Sequence, residues 1–459
     1  MMDDVSECLP AGWKRVSLEG VVEFLDNRRV PVNDEERKRR IAGKSPSELF
    51  PYYGANGQVG WIDDYLFSEP LILLAEDGGF FEKIGRVAYR VDGKTWVNNH
   101  AHVLRPVPSI NFGYVLHALN AQNLMPFVSG TTRLKLNQSN ARKIPIPLAP
   151  ERQQKLIVSK IEQLFAEIKI ARREIAKISE IARKFRQSIL SKAFRGELIE
   201  RNPNDEPAQK LVQRIKQDHR RTWEDELRAR GKDPKRYTYN EFETTKIEGL
   251  PELPQTWTWT QIGAVGEVVT GKTPPTSNKQ FYGRAVPFVK PGDLDTRGLI
   301  TDSMQFLSKE GAQYVRPIPA YSVMVTSIGA TIGKTGISGK TVVTNQQINS
   351  IVLPQLIDPF FVYYYCVSDF FQNQVRANAS STTLPILNKT RFEHLPLPVA
   401  PTSEQEAISV RVKQTFARCE EIENAVAIST ERLDRLEESI LFNAFKGELV
   451  SHYSSDEPA

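Results

Sequence analysis

The sequence predicts an α+β protein made as an internal repeat. Two similar strand-rich domains are separated by two long helices that form an antiparallel coiled coil, the whole having pseudo-twofold symmetry. Three observations carry this prediction: a self-similarity at fixed offset, a heptad stripe inside the repeated segments, and short apolar runs broken by turn residues elsewhere. Residues 129–208 align without a gap on residues 380–459 at an offset of 251, and 28 of the 80 pairs are identical. Thr131, Thr132, Leu136 and Asn137 face Thr382, Thr383, Leu387 and Asn388, then IPIPLAP faces LPLPVAP and SILSKAFRGEL faces SILFNAFKGEL. A second anchor, LPAGWKRVSL at 9–18, matches LPQTWTWTQI at 253–262 at an offset of 244, so the second variable block is seven residues longer. A period of this kind is read before local patterns, because each copy must be one structural plan.

Taken in order, residues 1–150 form a first strand-rich domain, with apolar runs such as Pro70 to Ala75 and Val87 to Val91 and a short helix over Asn111 to Asn120. Residues 151–200 form a first helical region. There Ile157, Ile161, Leu164, Ile168, Ala171, Ile175, Ile178, Ala182, Phe185 and Ile189 step by alternating fours and threes, the pattern of a coiled-coil seam. Residues 201–249 hold an amphipathic helix over 206–230, with Leu211, Ile215, Trp223 and Leu227, and a charged linker from Lys232 to Lys246. Residues 250–402 form the second domain, with a run at Ala320 to Thr326 and a helix over Pro359 to Asn373. Residues 403–459 carry the second seam: Ile408, Val412, Thr415, Cys419, Ile422, Val426, Ser429, Leu433, Leu436 and Ile440. Pro150 and Pro401 stop the extended segments before each helix, and Gly196 and Gly447 end the helices. The second copy closes at Ala459, where the first runs on into the 206–230 segment. Two readings follow: weaker partner docking, or a helix needed only once to join the halves.

Of 459 residues, 40% are apolar, 25% charged and 9% aromatic, which excludes wholesale disorder, collagen-like repeats and a disulfide scaffold. The longest apolar stretches, such as Pro359 to Val367, fall short of the roughly 18–20 residues that span a bilayer. The opening Met1, Met2, Asp3 and Asp4 lack the basic start and apolar run of a secretory signal, so a cytoplasmic location is expected. Cys8, Cys366 and Cys419 lie far apart, which reads as reduced structural thiols. Net charge is +5, distributed as +1 over 1–150, +7 over 151–248, +3 over 249–402 and −6 over 403–459. The opposite charge of the two helical blocks favours their pairing.

Catalytic motifs fail on context. GEVVTGKT at 266–273 matches the phosphate-loop pattern, but Pro274, Pro275, Thr276, Ser277 and Asn278 follow where a helix must start. GATIGKT at 329–335 is one residue short between its glycines. Asp358, Pro359, Phe360 and Phe361 lack the second proline of the tetrapeptide that holds the target amine in DNA amino-methyltransferases, and no Gly-rich strand-to-helix turn suits a nucleoside cofactor. Asn98, Asn99, His100 and His102 read as an alternating strand rather than a metal site.

What remains is a set of basic, hydroxyl and amide side chains on Gly-rich turns, groups that hydrogen-bond phosphates and base edges. In the first domain these are Arg28, Arg29, Tyr52, Asn56, Lys83, Arg86, Asn98, Asn99 and Arg133. In the second they are Lys272, Thr273, Lys290, Ser327, Thr331, Lys334, Asn345, Gln346 and Gln347.

Two divergent blocks, each closing on Leu136 to Gln154 with Ala193 to Leu198, or on Leu387 to Gln405 with Ala444 to Leu449, resemble the specificity subunits of type I restriction and modification enzymes. The resemblance implies a DNA-reading subunit without catalysis or bound cofactor of its own. Each variable block would be a target recognition domain reading one half of a bipartite DNA site, with the helices as a ruler. Two methyltransferase subunits would dock on the helical region and endonuclease/translocase subunits would join for restriction. S-adenosylmethionine, ATP and magnesium would belong to those partners. The competing class is a coiled-coil interaction scaffold that binds no DNA.

Overall fold

The computed structural model describes residues 9–450 apart from 79, 80, 83, 86, 131–133, 240, 243–248, 296, 297 and 381–383. The chain divides into two compact units, Met1–Ile178 with Ala425–Ala459, and Ser179–Asn424.

Unit one contains β1 (Lys14–Ser17), β2 (Val22–Phe24), α1 (Asp34–Ile41), β3 (Phe50–Gly54), β4 (Gly57–Ile62), β5 (Leu71–Ala75), β6 (Ala88–Val91), β7 (Trp96–Val97), β8 (Ala101–Pro106), α2 (Phe112–Asn120), α3 (Gln138–Arg142), β9 (Pro145–Leu148) and the start of α4 (Glu151–Ala193). Its sheets run β2-β8-β5-β6, β4-β3-β7 and β1-β9. The LILLA run of β5 is buried at every position because it lies centrally, between β8 and β6.

Unit two contains the end of α4, then α5 (Ala208–Ala229), β10 (Thr258–Gln261), α6 (Ile262–Val265), β11 (Glu267–Thr270), β12 (Tyr282–Val289), β13 (Leu299–Ile300), β14 (Phe306–Leu307), α7 (Lys309–Gln313), β15 (Val323–Thr326), β16 (Thr335–Ser338), β17 (Val343–Thr344), β18 (Ile348–Val352), α8 (Pro359–Cys366), α9 (Asp369–Asn378), α10 (Lys389–Glu393), β19 (Pro396–Val399) and the start of α11 (Thr402–Lys446). Its sheets, β11-β18-β15-β16-β13, β14-β12-β17 and β10-β19, repeat those of unit one strand for strand, with β13 added. The single helix expected over 359–373 is two. Ser368 breaks it by capping α9, its side chain accepting the Phe371 N–H. α5 buries Leu211, Val212 and Ile215 in the core of unit two.

The repeated motif has a structural job at each letter. Its first two prolines lie on β9 and β19, paired antiparallel with β1 and β10. Asn137 and Asn388 cap α3 and α10 through side chains that accept the N–H three residues on. The buried Gln154 accepts the Asn111 N–H at 3.0 Å and donates to the Ala149 carbonyl at 2.8 Å, fastening the start of α4 to the cap of α2. Gln405 does the same with Asp358 and Ala400, at 3.0 and 2.7 Å. Gly196 and Gly447 take φ of +70° and +82°, and the next N–H reaches back five residues to Lys192 or Asn443, a C-terminal lock that needs a left-handed residue.

The start of α4 and the end of α11 share unit one, and the end of α4 and the start of α11 share unit two, so the helices run antiparallel. Phe445 packs edge-on against Tyr114 of α2 at 5.1 Å, and Phe194 against Phe361 of α8 at 5.2 Å. Arg172 bridges Asp434 and Glu437 in unit one, while Arg186 bridges Glu423 in unit two. Ile157, Ile161 and Ile168, then Ile440, are buried in unit one, as are Ile408, Val412 and Cys419 in unit two. Leu164, Ile175, Ile189, Val426 and Leu433 are half-buried. Ile178, Phe185, Ile422 and Leu436 depart from an enclosed seam, remaining 44–49% exposed. A two-helix layer has open flanks, and burial is completed only where a strand-rich domain packs on it.

Candidate nucleic-acid interface

Three short segments meet at one edge of each domain. In unit one, Glu76 N–H donates to the His100 carbonyl, Leu136 N–H donates to the Glu76 carbonyl, and Asn98 N–H donates to the Tyr53 carbonyl. In unit two the same bonds join Ser327 to Gln347, Leu387 to Ser327 and Asn345 to Val289. Lys135 bridges Asp77 and Ser129, and Ile386 bridges Ile328 and Ser380. One backbone frame therefore presents different side chains, with Glu76, Asp77, Asn99, His100 and Lys135 replaced by Ser327, Ile328, Gln346, Gln347 and Ile386.

Behind the frame the first domain is ionic. His102, on β8 and 1% exposed, places one ring nitrogen 2.6 Å from Asp26 and the other 2.8 Å from the Leu136 carbonyl. Arg29 bridges Glu76 at 2.7 Å and Asp26 at 3.5 Å, and Lys135 reaches Glu76 at 3.0 Å. Burial opposes ionisation of Asp26. The His102 hydrogen bond and charge, the Val103 N–H and Arg29 outweigh it and hold the carboxyl below the ordinary range. Glu76 is likewise opposed by burial and held low by Arg29, Lys135 and His102. The second domain is neutral at the matching places, where Thr270 donates to Asn349 at 2.7 Å and Asn349 donates to the Leu387 carbonyl at 3.5 Å.

This geometry sorts the residues expected from sequence. Arg29, Tyr52, Asn98, Ser327 and Asn345 build the frame and do not stand at its surface. Arg29 is locked between carboxylates, and the Tyr52 hydroxyl donates to Val32. Asn98 and Asn345 each accept the N–H two residues on, closing a turn, and Ser327 is 2% exposed. Arg28 lies over Phe67 and donates to the Leu66 carbonyl, and Asn56 donates to the Gly78 carbonyl. Asn99, Lys272, Thr331 and Gln346 are exposed, and Thr273, Lys290, Lys334 and Gln347 half-buried. Lys83, Arg86 and Arg133 lie outside the described residues. His100 pairs with Asp77 at 2.7 Å and both nitrogens of His102 are engaged.

Lys272 and Thr273 continue from β11 as a loop, and the first helical turn after them is a single 3-10 turn at Lys279–Phe281. That loop borders a cavity of about 520 Å³ lined by Thr273, Thr276, Lys279, Tyr282, Gly283, Lys290, Gln305 and Phe306. Sequence reasoning missed Thr276, Lys279 and Gln305, and also Asp77 and His100. The last two were findable by setting Asp77 against Ile328 at the offset of 251 and His100 against Gln347 four residues short of it, and asking where the matched residues differ in chemistry. No described helix is long and apolar enough to cross a membrane.

Residues 10–180 and 254–431 match the family described as "Type I restriction modification DNA specificity domain". The EcoDI type I restriction enzyme specificity subunit of Escherichia coli is 22% identical over 457 residues, 98% of this chain and 91% of that protein. The HindI specificity subunit of Haemophilus influenzae is 31% identical over 215 residues, 45% of this chain and 46% of that protein. A solved structure described as "Structural basis underlying complex assembly and conformational transition of the type I R-M system" shares the fold, with TM-score 0.66 at 18% identity, covering 96% of this chain and all of its own. With its two matched segments and its doubled frame, the chain belongs to the type I restriction-modification DNA specificity family.

Proposed function

We propose that this chain is the sequence-reading subunit of a type I restriction-modification system, each strand-rich domain reading one half of a bipartite DNA site. The observation that carries the reading is the doubled frame, in which one backbone arrangement offers Asn99, His100 and Lys135 in one domain and Gln346, Gln347 and Ile386 in the other. Different donors and acceptors on equal scaffolds are what two different half-sites require. Arg28, Asn56 and Asn99, with Lys272, Lys290, Thr331, Lys334, Gln346 and Gln347, supply the polar contacts.

The subunit has no chemistry of its own in this reading. Two methyltransferase subunits dock on the helices and endonuclease/translocase subunits join them, bringing S-adenosylmethionine, ATP and magnesium. Ile170, Ile178 and Leu436 in unit one, and Ile181, Phe185 and Ile422 in unit two, are 44–65% exposed apolar groups on helices, the surface such docking would cover. The modest net charge fits a reader whose partners supply much of the phosphate contact.

The test is the methylome of a host carrying this chain and its partner methyltransferase, against a deletion of this chain. Loss of one bipartite methylated motif is expected, and an unchanged methylome sinks the reading. Removing 168–174 together with 419–425 should change the spacing between half-sites and leave their sequences alone. Exchanging residues 1–140 for another such block should change one half-site only.

A further inference from the structure

The cavity beside β12 has a composition that the reading of half-sites does not explain. β12 carries a bulge, Tyr282 and Val286 both lying opposite Leu307 of β14, and Gly283 between them lines the cavity. Bulges of this kind gather at sites of function. The Tyr282 hydroxyl donates to the Pro274 carbonyl at 2.8 Å, drawing the Pro274 to Thr276 loop over the opening. Asp293 accepts the N–H of Lys290 at 2.7 Å and that of Met304 at 3.0 Å, fixing the turn that carries Lys290 against the segment that carries Gln305. The Lys290 ammonium meets only the neutral Gln305 oxygen among these, at 2.7 Å.

Among the described residues no carboxylate lines the cavity, while two lysines and two aromatic rings do. The region between β2 and β5 of the first domain, which corresponds in topology, is the opposite, its cations neutralised, with Arg40 and Lys44 sharing Asp63 and Arg37 bonded to Asp34. Positive charge without acid selects an anion, and the Tyr282 and Phe306 rings select a planar or sugar face beside it. The volume of 520 Å³ falls in the range of about 300–1,000 Å³ typical of small-molecule pockets.

We propose that this cavity holds one nucleoside-phosphate unit, its phosphate on the ammonium groups of Lys279 and Lys290 with the Thr276 hydroxyl, its base or sugar against Tyr282 and Phe306. The Thr273 hydroxyl is committed to Gln346 and shapes the rim. Lys279 comes from the loop that follows the false phosphate-loop sequence, which lines the cavity without the helix such a loop needs. The proposal rests on the DNA-reading role for its usual occupant, a nucleotide of the bound strand, and a free nucleotide shares the same chemistry.

The experiment is amine acylation of the full chain at low ionic strength, read at Lys279 and Lys290 by mass spectrometry, with a duplex, 5′-AMP or adenosine as protecting probe. Protection several-fold by duplex and by AMP, and none by adenosine, is expected. Protection by duplex alone assigns the site to strand-borne nucleotides, and by AMP alone to free ones. Lys279→Gln with Lys290→Gln should lower the slope of log affinity against log salt by about 1, the effect of losing one phosphate contact, at every duplex sequence alike. If the chain binds duplex while neither lysine is protected and the slope is unchanged, the cavity proposal falls and DNA reading stands. If AMP protects while the chain together with its partner methyltransferase binds no duplex, DNA reading falls and the cavity stands.

Discussion

The two strand-rich domains solve one backbone problem with two chemistries. In both, the carbonyl that precedes the capping asparagine, Leu136 or Leu387, is held by a buried side chain from the matching strand. The first domain uses His102 with Asp26, the second Asn349 with Thr270. The exchange extends outward as a set, Arg29 and Glu76 giving way to Thr273 and Ser327. The donor to that carbonyl is kept in both domains, and no exchange in this set leaves a charge alone. Hydrogen-bond valence, not residue identity, is what the frame demands, and that freedom lets its rim vary.

The largest expected difference follows from this. Arg29→Ala leaves the Glu76 carboxylate, with a side-chain exposure of 11%, without its main cation, while Asp26 keeps His102, a loss of about 3 kcal/mol. Thr273→Ala at the matching place removes one exposed-rim hydrogen bond and should cost about 1 kcal/mol or less. Urea unfolding of the full chain, followed through each unit, distinguishes them; equal losses would break the comparison.

A second difference is in pH. His117 of α2 packs edge-on against Phe165 at 5.7 Å, and Tyr364 of α8 makes the same contact with Phe416 at 5.6 Å. Burial pushes the His117 imidazole down to about 4. Its unfolded value is about 6.5, so below that pH the unfolded chain binds the proton first. The stability is complete above pH 6.5 and drains away as pH falls towards 4, reaching about 3 kcal/mol in unit one. His117→Tyr, which copies the second domain, should remove this part of the acid sensitivity. A variant as acid-sensitive as the parent in thermal melts from pH 7 to pH 4 would refute the assignment.

Legibility in the sequence follows the same division. The repeat, both long helices and the strands at Leu71–Ala75 and Val323–Thr326 were visible, because periodicity and continuous apolar runs are local signals. The break at Ser368 was hidden, since a cap inside an apolar run is decided by one side chain. Arg29, Tyr52 and Asn98 looked like surface contacts because residue type alone does not report burial. Their partners Glu76, Val32 and Tyr53 lie 47, 20 and 45 positions away in the chain. The cavity was invisible for the same reason: Thr273, Lys290 and Gln305, which line it, lie 17 and 15 positions apart in the chain.

Where the domains agree, substitutions should agree too. Gln154→Ala and Gln405→Ala each strip a partly buried N–H and a buried carbonyl of their partner, at Asn111 and Ala149 or at Asp358 and Ala400. Each should cost about 1–3 kcal/mol in its own unit. A loss confined to one would show that α4 and α11 are fastened differently despite matched geometry.

The smallest effect tests the comparison most finely. Asn137 and Asn388 each cap a five-residue helix at 2.9 Å, and each directly follows the carbonyl that His102 or Asn349 holds. Replacing either cap by alanine should cost about 1 kcal/mol, and by aspartate much less, because the carboxylate also accepts the N–H. In the first domain the preceding residue, Leu136, is tied through His102 to Asp26 and Arg29. Loosening the cap there lets the Leu136 carbonyl move against a charged lock, whereas at Leu387 it moves against a neutral amide. Double-mutant cycles of Asn137→Ala with His102→Asn, and of Asn388→Ala with Asn349→Ala, read that difference as a coupling energy. A larger coupling in the first domain is expected, and equal couplings would mean that the ionic network stiffens its own residues without reaching the frame that carries the rim.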